Sequence, residues 1–393
     1  MGPETDLAGN RDAELRTATL LLVSAIVLVL FVMEASRGHV GGPDVFRFVR
    51  VAHVSGPWRR VPIEYAPGEL LLIRGLFRTG AVETAAIRLA LVAFLSHLAT
   101  WGAVRRGWGR VAGERYLIVA LPLLLLMYER IDMLPVAVAT GAIALQVRRR
   151  SAAAGAALAI AVLTKIWPLV LLPGMILRGG RRAASSFAAV LAAGMLAWVA
   201  YGGTGAPGQV LSFRGASGWE AGSTVGALVW ILTGGPIRQE AGSGRVGVAP
   251  WWEKALLGLA LLTLLAVIWI RSRAREDDPG GRPALASVAA LLLCAPLFST
   301  QYATWLLPWA GVSGARDRDT GALGAVLVVG LATAVIDLSG YDPGTEVTVQ
   351  AATLIRIAAL GSLVLRELFP GATPRRARAE PRPRASSLRR SAA

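Results

Sequence analysis

Residues 148–173 read RRRSAAAGAALAIAVLTKIWPLVLLP: three arginines, an apolar run, a single lysine at Lys165, and a second apolar run. An apolar run that begins at a cluster of arginines is typical of a helix that enters a membrane from its cytoplasmic side. Lys165 would then lie at the far end of that helix, where an ionisable residue is costly to bury. This pattern, which recurs along the chain, decides the fold that we predict.

Clusters of arginine stand at one end of the apolar segments throughout the sequence. They lie at residues 105–115, 148–150, 178–182, 271–282 and 316–318, and after Arg366. In a chain that passes back and forth through a bilayer, all six clusters fall on one face, which the positive-inside rule makes cytoplasmic. These loops and the tail account for the net charge of +16, so we expect membrane lipids as neighbours and no nucleic-acid partner.

The composition and the apolar runs predict an all-α integral membrane protein. Hydrophobic residues make up 54% of the 393 positions, which is unusual for a soluble protein of this size. We predict a multi-pass protein of the plasma membrane, with about twelve transmembrane helices and both termini in the cytoplasm. The predicted spans are 17–34, 85–103, 116–128, 131–147, 151–164, 166–178, 184–201, 253–270, 284–298, 301–314, 321–337 and 348–366.

The predicted membrane domain covers residues 17–366. It lies between a cytoplasmic N-terminus of residues 1–16 and a disordered, basic cytoplasmic tail of residues 367–393. Two outer segments, residues 35–84 and 202–252, are too long to be simple turns. Each contains an apolar stretch that is too short to span, at residues 69–77 and 225–233, which predicts an interfacial or re-entrant helix at the outer leaflet.

The sequence predicts no metal site and no cofactor site. Cys294 is the only cysteine, and His39, His53 and His97 lack the spacing of metal ligands. Neither a Walker A motif nor a GxGxxG motif before a helix is present, so the sequence shows no motif for binding ATP.

Polar residues collect at the outer ends of the predicted helices and form the candidate site. In chain order they are Asp44, Glu64, Tyr65, Arg130, Asp132, Lys165, Gln301, Tyr302 and Arg356. Ionisable groups gathered at one leaflet favour binding or chemistry at that leaflet.

These segments, in this order, resemble the GT-C class of membrane glycosyltransferases and, within it, glycosyltransferase family 87. In that family an Asp after the first helix is followed by a Tyr-Pro-Pro-like element, a Lys-x-x-Pro element and a Ser-Pro-Gln-Tyr-x-x-Trp-x-x-Pro-like element. The matching positions are Asp44, residues 65–67, 165–168 and 299–308, with Ala66 and Thr300 in place of prolines. The resemblance covers roughly residues 15–310.

The resemblance implies a GT-C-like bundle with interfacial helices in its outer loops and an inverting transfer without a cofactor. The donor would be a polyprenyl-monophosphate sugar, with mannose as the sugar that the family uses. The acceptor would be a glycolipid or glycan of the cell envelope, reached at the extracytoplasmic face of the membrane.

Such a transfer needs a carboxylate that takes the proton of the acceptor hydroxyl and a cation that stabilises the departing phosphate. Asp44 is the predicted base, with Asp132 and Glu64 in reserve, although Asp44 also suits a helix N-cap. Lys165 is the predicted phosphate-binding residue, and its alternative is to snorkel to the outer headgroups. A lysine or arginine can neutralise a monophosphate, so a metal is not required.

The remaining candidates each have a structural alternative. Arg130 is expected to pair with Glu129 or Asp132, or to bind a ligand. Arg356 is expected to pair with Asp337, or to bind phosphate. The polar side chains of Gln301, Tyr302 and Tyr65 can hydrogen-bond sugar hydroxyls or phosphate, and the two tyrosines also suit membrane-boundary anchors.

Two other classes of function fit parts of this pattern. About twelve spans with cytoplasmic termini suit a secondary transporter or a flippase for lipid-linked sugars, but transport sites usually lie near the midplane between related repeats. A non-catalytic envelope scaffold leaves the carboxylate, the cation and the Gln-Tyr pair unexplained.

Overall fold

A computed structural model describes residues 3–39, 43–54, 66–78, 80–205, 207–208, 216–240, 242–341 and 344–369 of the chain. The predicted tail beyond residue 369 therefore lies outside the described residues. The α-helices up to residue 202 are α1 Pro3–Ser36, α2 Pro43–His53, α3 Pro67–Phe77, α4 Val82–Trp108, α5 Arg110–Ala120, α6 Leu124–Tyr128, α7 Met133–Val147, α8 Ser151–Thr164 and α9 Leu172–Gly202. Those that follow are α10 Thr224–Thr233, α11 Trp251–Arg275, α12 Arg282–Cys294, α13 Leu307–Arg316, α14 Thr320–Ser339 and α15 Glu346–Leu368.

The described chain has the architecture of a helical membrane protein. Seven of its helical segments are long and apolar enough to cross a membrane: Asp12–Ser36, Val82–Trp108, Arg110–Tyr128, Trp167–Gly202, Trp251–Arg275, Thr320–Ser339 and Glu346–Leu368. The shorter apolar helices are α7, α8, α10 and α12. The total of about twelve spans therefore stays a prediction, while the helical, multi-pass character follows from these lengths and compositions.

Helix α9 changes direction at Gly180, so one long apolar segment is two packed segments. Gly180 has φ 58° and ψ −152°, a conformation that is essentially restricted to glycine. Gly155, near the start of α8, packs against Ala183, and Leu163, near its end, packs against Gly194. The chain after Gly180 thus runs in the same direction as α8, and the chain before it runs back. The separate predictions of spans 166–178 and 184–201 agree with this reversal.

The arginine clusters meet at one end of the bundle, which we call the arginine end. The contacts between clusters are Arg148 Nη2 to Arg106 O (3.1 Å), Trp108 Nε1 to Asp278 Oδ1 (2.9 Å), Arg282 to Asp317 (3.6 Å), Arg316 to Asp278 (3.5 Å) and Arg366 to Asp319 (3.4 Å). Because α8 begins at this end and Lys165 follows its last residue, Lys165 lies at the opposite end.

The second of the two segments predicted to be outer, residues 202–252, contains a sheet that an all-α prediction misses. Its strands are β1 Trp219–Glu220, β2 Arg238–Glu240 and β3 Ser243–Val246, antiparallel and in the order β1-β3-β2. Strands of two to four residues are too short to show the alternation that identifies a strand in sequence. The short helices predicted at residues 69–77 and 225–233 correspond to α3 and α10.

Candidate active site

A cavity of about 520 Å³ opens at the end opposite the arginines. Its polar wall comes from the start of α2, from α3, from the residues after α8 and from β3. Its apolar wall comes from α11 and α12. Of the predicted site residues, Asp44, Lys165, Gln301 and Tyr302 line this cavity. Sequence elements that lie more than a hundred residues apart therefore share one space.

Lys165 lies between two carboxylates. It caps the C-terminus of α8 in an extended conformation, with φ −150° and ψ 136°, so its side chain leaves the helix. Its Nζ lies 2.9 Å from Asp132 Oδ1 and 3.8 Å from Glu69 Oε1, and the side chain is 11% exposed. Lys165 therefore does not snorkel toward solvent, and both neighbours stabilise its charge.

Asp132 is the buried member of this group. Its Oδ1 accepts hydrogen bonds from Lys165 Nζ and from the indole N–H of Trp305, the latter at 2.8 Å. Asp132 is 1% exposed. A carboxylate held in this way fixes the positions of its two donors.

The sequence does not single out Glu69 as a site residue, because Glu69 reads as the first residue of an apolar stretch. It lines the cavity from the first turn of α3 and is 1% exposed. The preceding residue, Gly68, explains its placement. A Cβ on Gly68 would lie 2.9 Å from Thr164 Oγ1 and 3.0 Å from Leu163 O, so only glycine lets α3 approach the end of α8 this closely.

Asp44 lines the cavity and pairs with two arginines. Arg130 Nη1 lies 2.7 Å from its Oδ2, and Arg47 Nη1 lies 3.6 Å from its Oδ1. Arg130 thus reaches Asp44, a partner that the sequence does not predict, while its charge also acts on the predicted neighbour Glu129. Asp44 stands in the first turn of α2, where the helix dipole also favours a carboxylate.

Aromatic rings form a continuous stack beside Lys165. The ring centroids of Trp167 and Trp305 are 5.1 Å apart, and those of Trp305 and Tyr302 are 4.1 Å apart. Lys165 Nζ lies 5.2 Å from the Tyr302 centroid. All three rings line the cavity, and Gln301 precedes Tyr302 in the same 3₁₀ turn, Thr300–Leu306. The arrangement offers a flat aromatic wall next to hydrogen-bonding groups.

Arg356 belongs to a separate buried cluster, and its predicted pairing with Asp337 is wrong. Arg356 Nη2 donates to Gly222 O at 2.7 Å, and its guanidinium lies over the Phe298 ring. The nearby carboxylate is Glu220 in β1, whereas Asp337 accepts from Thr300 Oγ1 at 2.9 Å. Arg356 is fully buried and is not among the described residues that line the cavity.

Glu220 carries the negative charge in this buried cluster. It accepts hydrogen bonds from Phe298 N at 3.1 Å and from Tyr341 Oη at 3.4 Å. Burial raises the pKa of Glu220, while the Phe298 N–H and the charge of Arg356 act in the opposite direction. Neither its sequence position nor its neighbours indicated that Glu220 would meet Arg356, because the meeting depends on the unpredicted sheet.

Glu64 and Tyr65 lie outside the described residues. No group of three or more His, Cys, Asp or Glu side chains suited to a metal ion occurs within the part of the chain that the structure describes. Comparison with known proteins adds no family to this geometry, since no protein-family model matches the chain and no curated protein matches it.

Proposed function

We propose that the protein is an inverting glycosyltransferase that moves a sugar from a polyprenyl monophosphate to a cell-envelope acceptor. The observation that carries the proposal is the shared cavity, in which the carboxylate of Asp44 and the ammonium of Lys165 both line an amphipathic space. The proposal further places this cavity at the extracytoplasmic face, because the arginine end is the cytoplasmic one by the positive-inside rule.

Asp44 is the base in this mechanism. Its pairing with Arg130 through Oδ2 fixes the carboxylate, and the side chain keeps a surface on the cavity. The acceptor hydroxyl oxygen attacks the anomeric carbon while its proton passes to Asp44. The bond between the anomeric carbon and the phosphate oxygen breaks in the same displacement, so the configuration inverts.

The leaving group is a polyprenyl monophosphate, which takes the electron pair of the broken bond. Four cationic side chains line the cavity among the described residues, Arg47, Lys165, Arg245 and Lys254, against the two carboxylates of Asp44 and Glu69. A net positive wall stabilises the charge that develops on the phosphate oxygen. The family resemblance suggests mannose as the sugar, with Gln301 and Tyr302 as candidates to bind its hydroxyls.

The test is transfer of labelled sugar from polyprenyl-phosphate-mannose in membranes that contain wild type, Asp44→Asn or Glu34→Gln. The Glu34 variant is the control, because this exposed carboxylate pairs with Arg37 and His39 at the end of α1 and does not line the cavity. We expect the loss of a general base to lower transfer by roughly 10²–10⁴-fold for Asp44→Asn and to leave the control unchanged.

Equal transfer by wild type and Asp44→Asn would remove Asp44 from the role of base. If wild type transferred no sugar from any polyprenyl-phosphate donor, the enzyme proposal would fail. Movement of the lipid-linked sugar between leaflets would then be the activity to measure.

A further inference from the structure

Helix α11 presents to the cavity a stripe that begins with a cation and continues with apolar positions. The residues of this stripe, Lys254, Leu257, Gly258 and Leu261, all line the cavity. Their spacing of i, i+3, i+4 and i+7 places them on one face of the helix. At 1.5 Å per residue the stripe is about 10 Å long. One helix face therefore combines a charged head with an apolar track.

Lys254 is the cavity cation whose charge is not balanced within the structure. Its ammonium makes no ion pair and no side-chain hydrogen bond with any described residue. Lys165, by contrast, already faces Asp132 and Glu69, and Arg47 faces Asp44. An incoming anion therefore gains most at Lys254, because no carboxylate there competes for the cation.

Arg245 provides a second cation on the same cavity from the central strand of the outer sheet. Its side chain is held by the strand, with Nη1 donating to Gly218 O at 3.3 Å, and the residue is 4% exposed. An arginine that is fixed before the ligand arrives loses little conformational freedom on binding. Arg245 and Lys254 thus present a prearranged and an adjustable cation to the same cavity.

Below these cations the cavity has room for a chain. A Cβ on Gly258 would meet no heavy atom within 4 Å, so the space in front of this glycine is open. Leu257 and Leu261 on α11, and Leu291 and Cys294 on α12, supply apolar walls beside it. An apolar chain can lie along this track in contact with apolar side chains.

We infer that the α11 stripe binds the lipid-phosphate donor, with its phosphate between Lys254 and Arg245 and its first isoprene units along Gly258. This inference rests on the proposed function and makes it more specific. It moves the phosphate away from Lys165, which instead fixes Glu69 and Asp132 by its two ion pairs. The ligand class is an anionic monophosphate that carries an apolar chain.

Binding of farnesyl phosphate to the purified, detergent-solubilised protein tests the inference. Inorganic phosphate and farnesol are the comparison ligands, since each carries only one half of the donor. We expect both to bind at least tenfold more weakly than farnesyl phosphate. Lys254→Gln removes a hydrogen bond to a charged group, so it should weaken the binding of farnesyl phosphate by roughly 10- to 100-fold. Lys254→Arg should restore most of the affinity.

Gly258→Leu tests the apolar track. The leucine side chain should fill the open space and weaken the binding of farnesyl phosphate about tenfold or more. It should leave the weak binding of inorganic phosphate unchanged. Gly361→Leu in α15 is the matched control, because a Cβ there also meets nothing within 4 Å and the residue does not line the cavity. We expect this control to bind farnesyl phosphate as wild type does.

The possible failures of this inference and of the enzyme proposal differ. Wild-type affinity for farnesyl phosphate in both Lys254→Gln and Gly258→Leu would overturn the inference, even if Asp44-dependent sugar transfer persisted. Equal binding of inorganic phosphate and farnesyl phosphate by wild type would mean a site for free anions and would also overturn it. If farnesyl phosphate binding depended on Lys254 but no sugar were transferred, the binding site would be supported and the enzyme proposal would fail.

Discussion

The ammonium of Lys165 and the carboxylate of Asp132 form a nearly buried ion pair, with Nζ and Oδ1 2.9 Å apart and side chains 11% and 2% exposed. The pair joins the end of α8 to the turn before α7. Removing one partner of a buried pair leaves the other charge without compensation, which commonly destabilises a protein by about 3–5 kcal/mol. The pair therefore gives a first prediction about stability.

We expect Lys165→Met to lower the free energy of unfolding by about 3–5 kcal/mol. The double variant Lys165→Met/Asp132→Asn should be more stable than that single variant, because the amide carries no charge and still accepts from the indole of Trp305. Unfolding in mixed micelles of the wild type, both single variants and the double variant measures the coupling, expected at about 1–3 kcal/mol. Strictly additive effects would show that the two charges do not stabilise one another.

Two glycines in α3 give a second, internally controlled prediction. Gly68→Ala should push α3 away from α8, because its Cβ would approach Thr164 Oγ1 to 2.9 Å. Overpacking of this kind destabilises a protein by about 1–3 kcal/mol. It should also displace Glu69 from the cavity wall and thereby lower the rate of sugar transfer. Gly75→Ala, in the same helix, meets nothing within 4 Å, so it should be neutral or stabilise by up to about 1 kcal/mol.

Thermal unfolding and sugar transfer, measured on both alanine variants, check this prediction. If the two variants lost stability to the same extent, the effect would belong to α3 as a whole and not to the contact of Gly68 with α8.

The titration of Glu220 gives a third prediction. Burial raises the pKa of Glu220 in the folded protein above its ordinary value. A group of this kind contributes stability below its unfolded-state pKa, and this contribution is lost as the pH rises through the folded-state pKa. The stability of wild type relative to Glu220→Gln should therefore fall as the pH rises above the ordinary pKa of a glutamate, since glutamine does not titrate.

The pH dependence of thermal unfolding for wild type and Glu220→Gln provides the measurement, with Glu240→Gln as a control. Glu240 lies in the same sheet, and hydrogen bonds from Ser217 lower its pKa, so its effect should have the opposite sign. A stability difference for Glu220→Gln that did not vary with pH would contradict the assignment.

Arginine placement was informative about the fold because it reports chain direction. The turn at Gly180 could be anticipated, since Arg178, Arg181 and Arg182 mark that point as an end of two apolar segments. The sheet could not, because strands of two to four residues are too short to show a recognisable alternation and pair through backbone groups. The sequence therefore predicts which polar residues lie at the same end of the bundle. It does not predict which of them contact residues of the sheet.

In the candidate site, too, the sequence predicts at which end of the bundle a residue lies better than it predicts the partners of that residue. Lys165, Asp44 and Gln301 were placed at one end from sequence, and they share the cavity. The sequence predicts that Arg130 interacts with its chain neighbours, and its charge does act on Glu129, but its side chain also reaches Asp44 across 86 positions. Glu69 was overlooked because a single carboxylate at the start of an apolar helix resembles an ordinary favourable N-terminal residue.

Helix α8, which ends just before Lys165, is shorter than a bilayer is thick and carries exposed apolar side chains such as Ile160. It contains 14 residues, which corresponds to about 21 Å at 1.5 Å per residue, against a hydrocarbon thickness of about 30 Å. Such hydrophobic mismatch thins the adjoining bilayer. The leaflet next to Lys165 should therefore dip toward the protein, which brings the headgroups of neighbouring lipids down to the level of the ion pairs.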